Sequence, residues 1–116
     1  MAYLDRRLAL AVVALAFGAF GARAAEPVQL TLKDHRFTPA EVTVPAGERF
    51  RIEVVNADPT PAEFESSDLR VEKIVVPGGK ISVFAGPLKP GNYKFFDDYH
   101  PDVAVGFVTV TGQAGE

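Results

Sequence analysis

Val28-Gln29-Leu30-Thr31-Leu32-Lys33 alternates apolar and polar residues with a period of two, the mark of a strand with one buried face and one wet face. The rhythm recurs outward from there. Glu41-Val42-Thr43-Val44 repeats it and stops at the turn Pro45-Ala46-Gly47. Arg49 to Val55 carries Phe50, Ile52 and Val54 on one face. Arg70-Val71-Glu72-Lys73-Ile74-Val75-Val76 is closed by Pro77-Gly78-Gly79. Ile81 to Ala85 and Tyr93 to Phe96 follow, separated by Gly86-Pro87-Leu88-Lys89-Pro90-Gly91, and Ala104 to Val110 comes last. About seven short strands with turn signals roughly every 8–12 residues predict an all-β Greek-key sandwich, not βαβ units. The one helical candidate, Ala62 to Leu69, is a turn or two long.

The start of the chain reads differently. Arg6 and Arg7 precede an uncharged apolar run from Leu8 to Phe20, and Ala22-Arg23-Ala24 supplies small residues where a signal peptidase needs them. The run is short of the roughly 20 residues that span a bilayer. Residues 1–24 are therefore expected to be a cleaved signal peptide, 25–111 one domain, and 112–116 a flexible tail. The expected location is the periplasm, with no membrane anchor left after cleavage. No cysteine follows the apolar run, which excludes a lipoprotein anchor.

Removing Arg6, Arg7, Arg23 and Asp5 with the leader takes the formal net charge from −3 to −5. Such an acidic domain has no basic stripe for nucleic acid and suits cations or a basic partner. It has no cysteine, so no disulfide braces it; packing of Phe, Val, Ile and Leu must hold it, with help from any bound metal.

Phe37-Thr38-Pro39, the strand after it, and Pro45-Ala46-Gly47 are followed by Asn56-Ala57-Asp58 and by Leu88-Lys89-Pro90-Gly91-Asn92-Tyr93-Lys94-Phe95. His100 and Gly106-Phe107-Val108-Thr109-Val110 complete the series. In order and spacing these segments resemble the cupredoxin family over essentially all of the mature chain. Laying the family's C-x-x-H-x-x-M loop on the sequence puts Asp97 at the cysteine, His100 at the histidine and Val103 at the methionine. The first histidine falls at Ala62 or Glu63. A blue copper centre uses two His, a thiolate and a weak axial thioether, and one of those four ligands remains.

Asp58-Pro59-Thr60-Pro61-Ala62-Glu63-Phe64-Glu65-Ser66, Glu72-Lys73 and Phe95-Phe96-Asp97-Asp98-Tyr99-His100 narrow the likeness. They resemble EfeO-type cupredoxin-like proteins, small periplasmic domains associated with bacterial ferrous-iron permeases. The resemblance implies copper or iron as the bound ion and assistance in Fe(II) oxidation or delivery. It also implies an inner-membrane iron permease and other periplasmic iron-uptake proteins as partners.

In the predicted sandwich His35 ends the first strand, Glu63 and Glu65 lie in the loop after the third, and Asp97, Asp98 and His100 lie in the loop before the last. The candidate metal ligands are His100, Glu63, Asp97, His35 and Asp98. Asp97 and Asp98 are adjacent, so one faces inward if the strand persists. Glu65 and Glu72 are expected to pair with Lys or Arg. Phe64, Phe95, Phe96 and Tyr99 are expected mainly in core packing. A His and carboxylate set suits Cu(II), Zn(II) and iron and disfavours Cu(I). Its ligands must be deprotonated, so affinity should fall as pH drops through about 6.5.

The alternative is a degenerate cupredoxin that acts as an interaction module without its own metal. Hydrolysis has no support: no nucleophile-elbow pattern is present, and Ser66 and Ser67 have no evident His and Asp partners.

Overall fold

The computed structural model describes residues 26–112. The predicted leader, its cleavage site after Ala24 and tail residues 113–116 lie outside the described residues. Among the described residues the secondary structure is nine strands and no helix. They are β1 (Val28–Lys33), β2 (Arg36–Thr38), β3 (Glu41–Pro45), β4 (Phe50–Asn56), β5 (Ala62–Ser66), β6 (Val71–Val75), β7 (Lys80–Ala85), β8 (Gly91–Asp97) and β9 (Val105–Thr111).

They form two sheets, ordered β2-β1-β4-β7 and β3-β9-β8-β5-β6. The β1–β4 and β3–β9 pairs are parallel and the rest antiparallel. Alternation sends one set of side chains into the space between the sheets. From β4 these are Phe50, Ile52, Val54 and Asn56; from β5, Ala62, Phe64 and Ser66; from β9, Gly106, Val108 and Val110.

Phe37, Phe64 and Phe95 meet at the centre of this core. Phe37 stands edge-on to Phe95 at 5.1 Å and to Phe64 at 6.0 Å, while Phe64 and Phe95 are 5.4 Å apart. Burial of each ring contributes on the order of 1.5–3 kcal/mol, and such pairs add about 0.5–1.5 kcal/mol. Phe37 lies two residues beyond His35 and Phe95 two before Asp97, so the trio also anchors the segments that build the site.

The seven strands expected from alternation are present, with β2 and β5 in addition. The helical candidate at Ala62 to Leu69 is instead β5 and the turn leading to β6. Ala and Glu favour a helix weakly. Pairing of β5 with both β6 and β8, and burial of Ala62, Phe64 and Ser66, override that preference.

Candidate metal centre

The site is built at the end of the sandwich where the β1–β2 turn meets the loop between β8 and β9. Lys33 pairs with Arg36, so Asp34 and His35 alone make the hairpin turn. Both adopt positive φ, 52° and 59°, as the primed two-residue turns require. Asp and His are among the few non-glycine residues that enter this region readily.

A buried carboxylate holds the turn. Asp34 N donates to Asp58 Oδ1 at 2.6 Å and His35 N to Asp58 Oδ2 at 3.0 Å. Asp58 N in turn donates to Asn56 Oδ1 at 3.0 Å. The fully buried Asn56 uses its side-chain amide to reach Thr60 O at 2.9 Å and Val75 O at 3.0 Å. Burial pushes the Asp58 carboxyl upward. The backbone hydrogen bonds from His35 and Asp34 and attraction to the two imidazoles outweigh it and hold the group below its ordinary value.

Asp97 ends β8 with its side chain inward, 1% exposed. Its Oδ1 accepts from Glu63 N at 2.9 Å and Tyr99 N at 3.0 Å, and its Oδ2 lies 3.2 Å from His100 Nδ1. The loop closes through Asp97 N to Ala104 O at 3.0 Å, and His100 N donates to Asp97 O at 2.9 Å. His100 therefore sits over the buried carboxylate with its ring part-exposed.

The two imidazoles stack, centroids 3.7 Å apart and planes at 24°. His35, Asp97 and His100 each offer one ligand atom, all within 4.8 Å of one another. The buried acid is reached through two part-exposed rings.

Glu63 and Asp98 belong to a different face. Glu63 and Glu65 lie within β5 rather than in a loop and point outward, where β6 sets Glu72 directly opposite Glu65. Glu63, Glu65 and Glu72 gather within 4.8 Å, with Asp98 beside them. Among the described residues neither Glu65 nor Glu72 forms an ion pair, because the pleat and register set acid against acid. Desolvation, then the charges of Glu72, Asp98 and Glu65, raise the Glu63 carboxyl, and a hydrogen bond with Asp98 adds to this. Desolvation, then Asp98 and Glu72, raise that of Glu65.

The structure thus brings together His35, Asp97 and His100 and turns Glu63 and Asp98 away from them. Phe64 and Phe95 are core, Phe96 is half-buried and Tyr99 is exposed. Sequence reading did not assign a role to Asp58; the signal for it was Asn56-Ala57-Asp58.

Residues 7–110 match the family model described as a cupredoxin-like domain. Over 83 residues the chain is 49% identical to an uncharacterized protein of Rickettsia prowazekii (strain Madrid E). That match covers 72% of this chain and 66% of the relative, just under two thirds of its length. Among solved structures, the purple cupredoxin from Nitrosopumilus maritimus superposes with a TM-score of 0.57 at 20% identity, covering 72% of this chain and 99% of that one. The dithionite-reduced auracyanin of Roseiflexus castenholzii gives 0.61 at 17%, covering 77% and 99%. Amicyanin from Paracoccus versutus gives 0.58 at 19%, covering 77% and 85%. At these identities the likeness is one of fold.

A thiolate copper site does not fit these residues. The chain has no cysteine, and its single methionine is Met1. Asp97 stands at the aligned cysteine position, Val103 is 44% exposed, and Ala62 is buried against the core with no ligand atom to offer. A nitrogen and oxygen set does fit. The 3.2 Å between His100 Nδ1 and Asp97 Oδ2 is close to the edge of about 3.3 Å between two ligands of one tetrahedral ion with bonds near 2.0–2.1 Å.

Proposed function

Because the chain belongs to the cupredoxin-like domain family, we propose that it binds a transition-metal ion through His35, His100 and Asp97, at a site distinct in chemistry from blue copper. The observation that carries this reading is the convergence of three ligand atoms from two segments distant in sequence, His35 from the β1–β2 turn and Asp97 and His100 from the end of β8 and the loop after it. Asp97 Oδ1 is occupied by two backbone N–H groups, so Oδ2 is the oxygen left for an ion.

Imidazole and carboxylate favour Cu(II), Zn(II) and iron over Cu(I). Without thiolate or thioether such a set would hold Cu(II) more firmly than Cu(I), so binding and delivery suit the site better than rapid electron exchange by copper. Asp97 and Asp58 supply negative charge beneath the rings, and the backbone bonds to both acids hold that charge in place.

The reading extends to an exported periplasmic protein, an EfeO-type accessory of ferrous-iron uptake that hands iron to an inner-membrane permease or assists the oxidation of Fe(II), the electron passing to an external acceptor. The leader-like residues 1–24 and the family segments support it. The test is titration of the metal-stripped protein with Cu(II), Zn(II), Fe(II) and Fe(III), repeated on His100→Ala and His35→Ala. One-to-one binding that both substitutions weaken is the expected result. An absence of binding for every ion would defeat the proposal and favour an interaction module.

A further inference from the structure

We propose that Asp58 is a positioning residue for the metal site: its carboxylate fixes the turn that carries His35, and so sets the His35 imidazole beside His100 and Asp97. The inference rests on the metal-binding reading and adds to it a residue that touches no metal.

Three observations carry it. The imidazole comes from a turn of two consecutive non-glycine residues at positive φ, a conformation that Asp and His enter more readily than most L-residues but still at a cost in free energy that the surrounding contacts must offset. The N–H groups of Asp34 and His35 both end on Asp58, one on each carboxylate oxygen. Asp58 is itself 6% exposed and braced from behind by Asn56, which links it to Thr60 and to Val75 of β6. Ala57 N also donates to Leu32 O at 2.7 Å, which ties the same segment to the end of β1.

Asp58 lies outside the group of three convergent ligands, although its Oδ2 is 3.6 Å from His35 Nδ1. Its route to the site therefore runs through His35. A carboxylate behind a metal-binding histidine fixes the ring's orientation, and loss of such a partner typically weakens metal affinity about 10- to 100-fold.

The experiment uses the full chain, purified free of metal, as wild type, Asp58→Asn, His35→Ala and the double variant. Zn(II) affinity is measured for each, and proton NMR contacts between the His35 and His100 rings are recorded without metal in wild type and Asp58→Asn. Asp58→Asn should stay folded, lose the ring contact and weaken Zn(II) binding about 10- to 100-fold. The double variant should bind no more weakly than His35→Ala alone, because Asp58 acts through that ring.

Retention of the ring contact and of wild-type Zn(II) affinity in Asp58→Asn would overturn the inference while leaving the metal site standing. So would losses that multiply in the double variant. If wild type binds no Zn(II) or other ion, the metal reading fails, and the ring contact alone decides whether Asp58 places His35. Should Asp58→Asn not fold, Asp58→Glu takes its place: it keeps the charge but moves the carboxylate by one methylene, with the same two outcomes.

Discussion

His35 and His100 stack with ring centroids 3.7 Å apart, although one projects from a hairpin of the four-stranded sheet and the other from a loop of the five-stranded sheet. The contact joins the sheets at the end where Asp97 is buried. It also separates two kinds of acid on this molecule: Asp58 and Asp97 beneath the rings, and the glutamates on the outer face of β5 and β6.

That separation gives the first prediction. His35→Ala, His100→Ala and Asp97→Asn should each weaken Cu(II) or Zn(II) binding by more than the 10- to 100-fold typical of a supporting residue. Glu63→Gln and Asp98→Asn should leave affinity within a few-fold of wild type, because Glu63 lies on the outer face of β5 and Asp98 sits beside it in the turn after β8. Calorimetric titration of the five variants separates the two groups.

Acid should unfold the protein partly through Asp58. Its carboxyl is held below the ordinary value in the folded state, so its contribution is present above the usual aspartate range near 3.9. That contribution is lost as pH falls through the lower folded value. Melting temperatures measured between pH 7 and pH 2 should show this acid-side loss in wild type. The loss should be smaller in Asp58→Asn, which has no carboxylate to protonate there.

The outer glutamates have the opposite sign. Glu63 and Glu65 are raised, so their favourable contribution is complete below the usual glutamate range and is lost as pH rises through the folded values. Glu72→Lys sets a cation opposite Glu65 and should raise the melting temperature at pH 7 by a few degrees. The gain should shrink at high salt, where exposed charges are screened.

Gly106 is required for packing beneath the site. A Cβ there would overlap the Phe95 ring and sit 2.6 Å from Ala40 O. Overpacking of this kind costs on the order of 1–3 kcal/mol or more. Gly106→Ala should therefore lower stability in urea unfolding by at least that amount. It should also weaken metal binding, because Phe95 lies two residues from Asp97.

Most strands are legible in the sequence because one wet face leaves a period of two. β5 is the exception: its Ala-Glu-Phe-Glu-Ser composition also reads as a short helix, and pairing with β6 and β8 decides the matter. β2 has three residues, too few for a period to show. Of the proposed ligands, Asp97 and His100 can be picked out by alignment with the family's loop and His35 by residue type alone. Whether Glu63 joins them depends on pleat parity, which is set by long-range register. The bond from Asp58 to the turn at Asp34 and His35 spans strands distant in sequence, so the motif Asn56-Ala57-Asp58 alone does not disclose it.

Electron paramagnetic resonance of the Cu(II)-loaded protein, with His35→Ala and His100→Ala beside it, tests the central claim most directly. One copper per chain, with nitrogen coupling that drops by one ring in each variant and no intense thiolate band in the visible spectrum, is the predicted result. Copper bound with a spectrum unchanged by both substitutions, or no stoichiometric copper at all, would contradict the site.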